Sequence, residues 1–252
     1  MLGVKQYISF LPTGNTGRQN LPSAERGERI PGIYRLRLME YGKAYRVQRS
    51  LHQKRVDGEI EDVLILLEHP PTLTVGKSGS EDNILVPGEV LQSEGISLFF
   101  IERGGDITYH GPGQLVGYPI IDLRRRRRDV RAFVRDLEEV LMRTVGDFGI
   151  RGKRDPGHPG VWVENGELAA IGLSIRKWVS MHGFALNVHT SLNHFKLINP
   201  CGFSDRTATS MSEVLGRKVA IEPVTECLVF HFSQIFASTG VGYRDLTQEG
   251  RL

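Results

Sequence analysis

The segment Val63-Leu64-Ile65-Leu66-Leu67-Glu68 constrains this chain more than any other. Five successive apolar residues leave no polar alternation, and a run this short, closed by Pro70-Pro71, reads as a buried strand. A second short strand, Thr72 to Val75, follows the prolines. Ser97 to Glu102 and Leu115 to Leu123 read as further strands. Val161 to Val163 and Leu168 to Ile175 flank Glu164-Asn165-Gly166, whose Asn-Gly pair is a hairpin signal, and His182 to Val188 continues the sheet. Asp129 is placed to cap an amphipathic helix in which Val130, Phe133, Val134, Leu137, Val140, Leu141, Val145 and Phe148 share one face. Tyr45, Gln48, Leu51 and His52 recur at helical spacing within Tyr41 to Val56, which Asp57-Gly58 ends. Val224, Leu228, Phe232 and Phe236 do the same after Pro223, taken as a first helical residue. Strands and hairpins outnumber βαβ units, so the expected class is α+β, a mixed sheet flanked by helices.

A chain of 252 residues, 40% of them apolar, can bury one large core. One domain is expected over residues 33–240, with a poorly ordered N-terminal extension over residues 1–32, where Gly, Pro, Asn, Ser and Arg dominate, and a C-terminal tail over residues 241–252. Cys201 and Cys227 are too few for a disulfide framework and lack zinc-ligand spacing, so a reducing, cytoplasmic setting is expected. No stretch approaches the about 18 apolar residues of a membrane span, and no signal-peptide pattern opens the chain. A formal charge of +3 is too small to imply wholesale nucleic-acid binding, but five arginines are consecutive, Arg124, Arg125, Arg126, Arg127 and Arg128.

Several familiar motifs fail on inspection. Gly76-Lys77-Ser78 ends like a phosphate loop, yet Pro71 stands where that motif needs glycine, so a strand-ending turn is the better reading. Gly111-Pro112-Gly113 and Gly117 have the wrong spacing for a dinucleotide fold. His189 and His194 have no obvious third ligand, so no metal is assigned and no cofactor is implied. Arg103-Gly104-Gly105-Asp106-Ile107-Thr108-Tyr109-His110-Gly111-Pro112-Gly113-Gln114 reads as an irregular loop between strands, whose exposed N–H groups suit an acyl group or an oxyanion as well as a plain structural role. Cys201 sits between Pro200 and Gly202, which makes its thiol accessible, whereas Cys227 on the C-terminal helix fits a small buried apolar residue.

Together these segments resemble the lipoyl(octanoyl) transferases, octanoyl-[acyl-carrier-protein]:protein N-octanoyltransferases of the biotin/lipoate protein ligase superfamily. The likeness runs from Tyr41 to Phe236 through Glu68-His69-Pro70-Pro71, Arg103 to Gln114, Gly160-Val161-Trp162-Val163, Ala169 to Gly172, His182 to Asn187 and Ile198 to Gly202. The resemblance implies the biotin/lipoate protein ligase catalytic-domain fold. It also implies that octanoate passes from acyl carrier protein to Cys201 as a thioester, then to a lysine of the lipoyl domains of 2-oxoacid dehydrogenase complexes or of the glycine cleavage H protein, without ATP. Arg103, Gly104, Gly105, Asp106, Ile107, Thr108, Tyr109 and His110, with Ala170, Ile171, Gly172, Gly183, Phe184 and Ala185, are the implied lining of the acyl site.

One position departs from that pattern. The family places a lysine, which lowers the thiol pKa, where this chain has Glu167. A carboxylate raises a neighbouring thiol pKa. As a base, a carboxylate would take the thiol proton at an uphill cost of about 6 kcal/mol, against about 3 for an ordinary histidine, so His110, His182 or Lys177 are alternative partners. The arginine run is expected either to be a solvated stretch or to dock acidic acyl carrier protein beside the site. The competing readings are an ATP-dependent lipoate ligase and a non-catalytic or slow relative that binds acyl carrier protein or lipoyl domains.

Overall fold

In the computed structural model the described residues are 31–164, 166–199, 207–237 and 244–245. They form eleven strands: β1 (Gly32–Leu38), β2 (Val63–Glu68), β3 (Thr72–Val75), β4 (Ser97–Phe100), β5 (Ile107–His110), β6 (Gln114–Ile120), β7 (Gly160–Val163), β8 (Gly166–Arg176), β9 (Val179–Asn187), β10 (Thr207–Ala208) and β11 (Arg244–Asp245). The helices are α1 (Tyr41–Asp57), α2 (Gly88–Ser93), α3 (Val130–Gly146), α4 (Met211–Leu215) and α5 (Ile221–Phe236). The main sheet has the order β10-β8-β9-β6-β2-β1-β11, with β7 paired to β8, and a smaller sheet has the order β4-β3-β5. β2 runs parallel to β1 and antiparallel to β6, so the sheet is mixed.

Residues 63–68 have no polar alternation because both faces of β2 are covered. Leu64 and Leu66 enter one core with Phe133, Leu137 and Leu141 of α3 and Leu228 and Phe232 of α5. Val63, Ile65 and Leu67 enter another with Ala44 and Leu51 of α1. Each such side chain taken out of water contributes about 1.5–3 kcal/mol. Asp129 caps α3 by accepting a hydrogen bond from Ala132 N at 3.0 Å. Val130, in its first turn, is 38% exposed and lies off the apolar face expected to include it.

The small sheet has its own core of Leu73, Val75, Leu91, Ile96, Ile107, Tyr109 and Ile198. The chain leaves it through Gly111-Pro112-Gly113-Gln114, where Gln114 N donates to Gly111 O at 3.1 Å and Gly113 takes φ 84°. Proline at the second place and a left-handed glycine at the third make this a type II turn. It carries the chain from β5 of one sheet to β6 of the other and leaves a recess between them.

The structure corrects several expectations. Residues 103–114 are not one irregular loop: Ile107–His110 form a strand antiparallel to β3, with His110 bonded by Thr74 and Gln114, and Tyr109 by His194, so the polar side chains there are satisfied on burial. β9 begins at Val179 rather than His182. Its hairpin turns at Lys177 and Trp178, whose φ values of 50° and 63° are those of a primed two-residue turn, made here without the usual Asn or Gly. α5 begins two residues before Pro223. The strand expected over Leu115 to Leu123 ends at Ile120, and a 3₁₀ turn at Leu123–Arg125 follows, capped by Asp122. β1 was not anticipated. It opens at Gly32, and Arg244–Asp245, within the stretch expected as a tail, pair with its first residues. Asn165 lies outside the described residues, as does nearly all of the expected extension.

Candidate active site

A cleft of about 1220 Å³ opens where the small sheet meets β6, β8 and β9. Its walls include Arg103, Gly104, Gly105, Asp106, Ile107, Thr108 and His110 on one side and Ala170, Ile171, Gly172, Gly183, Phe184 and Ala185 on the other, so all but one of the lining residues singled out from the sequence meet there. Tyr109 is the exception. Strand alternation turns it into the small sheet's core, where its hydroxyl meets His194 Nδ1 at 2.8 Å and burial pushes its pKa up to about 12. That contact also engages His194 with a phenol.

The floor is built from small residues in register. Ala170 pairs with Ala185 and Gly172 with Gly183 across β8 and β9. A Cβ at Gly172 would stand 2.9 Å from Arg103 Cδ and 3.0 Å from Gly104 O, so the Arg103-Gly104 segment lies directly on the strand. Gly104 N donates to Leu173 O at 2.8 Å, which takes that N–H out of the set expected to face a ligand.

Glu167 reaches the cleft because of a bulge. β7 pairs Val161 with Ala169 and Trp162 with Glu167, skipping Leu168. Leu168 therefore joins Ala169 in the apolar core, and position 167 turns to the cleft side, where strict alternation from Ala170 would have placed it on the core side. Lys177 lies ten residues beyond Glu167, in the turn that follows β8, about 30 Å away at strand rise, and does not line the cleft. Lys196 does line it, in the 3₁₀ turn Leu192–Leu197.

A chain of hydrogen bonds runs beneath this surface. Arg103 Nη2 donates to Thr74 O at 2.7 Å and to Thr74 Oγ1 at 2.9 Å, and Thr74 Oγ1 lies 3.4 Å from His110 Nε2. Gln114 donates its amide to Tyr109 O and Asn187 Oδ1, leaving Oε1 to accept from His110 Nδ1 at 2.8 Å. That orientation makes His110 the Nδ1–H tautomer, neutral, with Nε2 facing the threonine hydroxyl. Burial, helped by His69, takes its pKa down to about 3. His69 is fixed the same way: Nδ1 donates to Met39 O at 2.6 Å, and Nε2 accepts from Tyr118 Oη at 2.7 Å. None of Thr74, Asn187 and Tyr118 has a local sequence signal, since only tertiary pairing brings them together.

His182 is 2% exposed, has φ 58°, and lines the cleft. Gln48 Oε1 accepts from its backbone N at 3.0 Å, Tyr45 stacks on its ring at 6.0 Å, and Glu102 lies 3.7 Å from Nε2. Neither ring nitrogen has a hydrogen-bond partner among the described residues. Burial lowers its pKa to about 4 despite Glu102. This removes the advantage expected of histidine as a base: from a thiol near 8.5, transfer to a group near 4 costs about 6 kcal/mol, no less than to a carboxylate.

Cys201 lies outside the described residues. The residues on either side of 200–206 do not: Asn199 and Thr207 both line the cleft. Asn199 N donates to Asn83 O at 2.8 Å, Leu85 N to Leu197 O at 2.9 Å, and Asn83 Nδ2 to Asp106 Oδ2 at 2.7 Å, so the chain entering that segment is tied to the cleft wall. Cys227 is half-buried, and burial with Asp147 pushes its pKa up to about 11.

None of Arg124 to Arg128 lines the cleft. Arg124 binds Asp122 at 2.9 Å, Arg125 meets Glu61 at 3.4 Å, Arg126 donates to Phe236 O and lies 3.9 Å from Asp62, and Arg127 lies 3.5 Å from Asp136. Arg128 lies over the Trp178 ring at 6.0 Å. Burial opposes the Asp122 carboxylate, yet its bonds to Arg124 and the charge of Arg55 hold its pKa below the usual range. Most of the run is thus matched to local acids.

The lipoyl protein ligase A/B catalytic domain model matches residues 40–233. The chain is similar to an octanoyltransferase of Alkaliphilus metalliredigens, 50% identical over 198 residues, 78% of this chain and 91% of that one. An octanoyltransferase of Caldicellulosiruptor saccharolyticus is 44% identical over 216 residues, 85% and 91% of the two. Among solved structures, lipoate-protein ligase A bound with ATP superposes with a TM-score of 0.66 at 16% identity, covering 86% of this chain and 88% of that one. The bipartite lipoate protein ligase of Thermoplasma acidophilum gives 0.65 at 16%, covering 86% of each. At such identities the structural likeness shows a shared fold. No described helix is long and apolar enough to cross a membrane.

Proposed function

The chain belongs to the lipoyl protein ligase A/B catalytic-domain family, and from that membership we propose the chemical route by which it transfers octanoyl groups. It is an acyltransferase of protein lipoylation. In the proposed route Cys201 Sγ attacks the carbonyl carbon of an octanoyl thioester on acyl carrier protein. The bond from that carbon to the carrier sulfur breaks, the carrier thiol leaves with the proton, and octanoyl-Cys201 remains. The ε-amine of a lipoyl-domain lysine then attacks the same carbon, an amide forms, and the Cys201 thiol is restored. Both steps balance without ATP, because the amide is made from a thioester.

The observation that carries this reading is the placement of the cleft around both flanks of residues 200–206. Cys201 follows Asn199 by two residues in the chain, and Asn199 lies in the wall assigned to the acyl chain. Each methylene buried there contributes about 0.8 kcal/mol to holding octanoate. Arg103, with its guanidinium held by Thr74, and the Ala170–Gly172 and Gly183–Ala185 floor are assigned to positioning the acyl group. Glu167 supplies no cation, so Arg103 and Lys196 are the arginine and lysine among the described residues of the cleft wall.

The test is transfer from octanoyl-acyl carrier protein to an unlipoylated lipoyl domain in the absence of ATP, for the native chain and Cys201→Ala. Transfer that Cys201→Ala abolishes supports the route. Transfer that requires ATP points to a ligase, and binding without transfer points to a non-catalytic relative. Glu167→Lys is expected to raise the rate of enzyme acylation, and a fall would place Glu167 in a working arrangement of its own.

A further inference from the structure

Of the five consecutive arginines, Arg124 to Arg127 are matched to acids, but three arginines elsewhere are not. Arg46 and Arg49 on α1 and Arg176 at the end of β8 are exposed, and none of the ion pairs among the described residues involves them. They lie along one seam. Arg176 pairs with Val179 across the β8–β9 hairpin, and His52 on α1, one turn beyond Arg49, contacts Val179 O at 3.3 Å. The Arg49 guanidinium lies 5.9 Å from the Tyr45 ring, which stacks on His182 in the cleft wall. Arg46 approaches Gly42 beside Phe99, whose ring packs 5.0 Å from Tyr41, another wall residue. For Tyr45, His52, Glu102 and His182 burial is the largest influence on protonation, and Arg176 is a further one. Of the acids nearby, Glu40 pairs with Lys43, while Glu102 accepts from Tyr45 at 2.8 Å and keeps its charge, which Arg176 helps to hold.

We infer that Arg46, Arg49 and Arg176 form the docking surface for the acyl carrier protein, receiving its acidic surface at the rim of the cleft. This rests on the proposal that acyl carrier protein is the donor. Three exposed cationic side chains outside the described ion pairs, with Arg49 and Arg46 each one aromatic ring from the cleft wall, can steer an acidic protein into register with the site. Arg124 to Arg127 cannot do this as well, because local carboxylates cancel much of their field.

The experiment compares the native chain, Arg46→Glu/Arg49→Glu/Arg176→Glu and a control with the same charge change at exposed positions away from the cleft, Arg151→Glu/Arg217→Glu/Lys218→Glu. Each is assayed with octanoyl-acyl carrier protein, octanoyl-coenzyme A and neutral octanoyl-pantetheine, at low and high salt. The seam variant is expected to lose about tenfold or more in kcat/KM for the carrier protein through KM, to lose most of its salt dependence, and to keep its activity on octanoyl-pantetheine. The control is expected to lose much less. Equal losses for carrier protein and pantetheine would overturn the inference in favour of damage to the acyl site. Equal losses for carrier protein and coenzyme A, with pantetheine spared, would replace protein docking by a phosphate contact, and a rise only in the KM for the lipoyl domain would assign the seam to the acceptor. If misfolding clouds the reversal, the milder Arg→Gln triple variant must show the same ordering of donors. Native enzyme inactive with the carrier protein would defeat the donor assignment itself, whereas native activity with an unaffected seam variant defeats only the docking surface.

Discussion

The two faces of the main sheet are built on different terms. The face under α3 and α5 is closed by apolar side chains such as Leu137, Leu228 and Phe232, all fully buried. The face toward the small sheet carries alanines and glycines at Ala170, Gly172, Gly183 and Ala185 and buries neutral histidines and an arginine in a hydrogen-bonded chain. β8 and β9 serve both: Leu168 and Leu186 point to the apolar core while Gly172 and His182 point to the cleft. The difference teaches that the closed face provides stability through burial throughout, while the other, apolar where α1 covers it, gives up burial beside the small sheet to hold a space and a set of fixed tautomers.

If so, substitutions on the two faces should separate stability from activity. The largest effect is expected for Phe232→Ala under the closed face, about 3–5 kcal/mol of unfolding free energy, read by denaturant titration, with activity per folded molecule unchanged. Next is the pH response of the cleft side. Burial lowers the His69 pKa from 6.5 to about 4, so the unfolded chain binds the proton first. Its stabilising contribution is full above pH 6.5 and is lost as pH falls toward 4, on the order of 3 kcal/mol. His69→Gln should flatten the stability profile in that window, and an unchanged slope would show that the histidine is not held neutral. Gly172→Ala forces Arg103 aside and is expected to cost on the order of a hundredfold in kcat/KM with little loss of stability. An equal loss in both quantities would erase the distinction between the faces. Asp129→Ala, which removes one cap from α3, should cost about 1 kcal/mol and leave catalysis alone.

The closed face was the more legible of the two. The helical period at Phe133, Leu137 and Leu141, and at Val224, Leu228 and Phe232, is visible because burial is its only requirement. So is the unbroken apolar run of β2. The cleft face was legible through the family resemblance, since all but one of the residues it named around Arg103 and Gly172 line the wall. Periodicity missed it, since glycine, threonine and histidine carry no burial signal, and β5 looked like a loop until β3 was laid beside it. α4 was missed although Ser210 and Glu213 stand three apart, and Ser210 Oγ does accept from Glu213 N. The bulge that turns Glu167 to the cleft exists only in the pairing with β7. The arginine run was the loudest charge in the sequence, and the acids that quiet it, Glu61, Asp62, Asp122 and Asp136, come from three separate segments.

The account stands most directly on the acyl-enzyme. Native protein mixed with octanoyl-acyl carrier protein, freed of the donor and weighed intact, is expected to carry one octanoyl group that maps to Cys201. Added lipoyl domain should then remove it within one turnover and gain the same mass on a lysine. An octanoyl group that the lipoyl domain cannot remove, or transfer that proceeds in Cys201→Ala, would contradict the account.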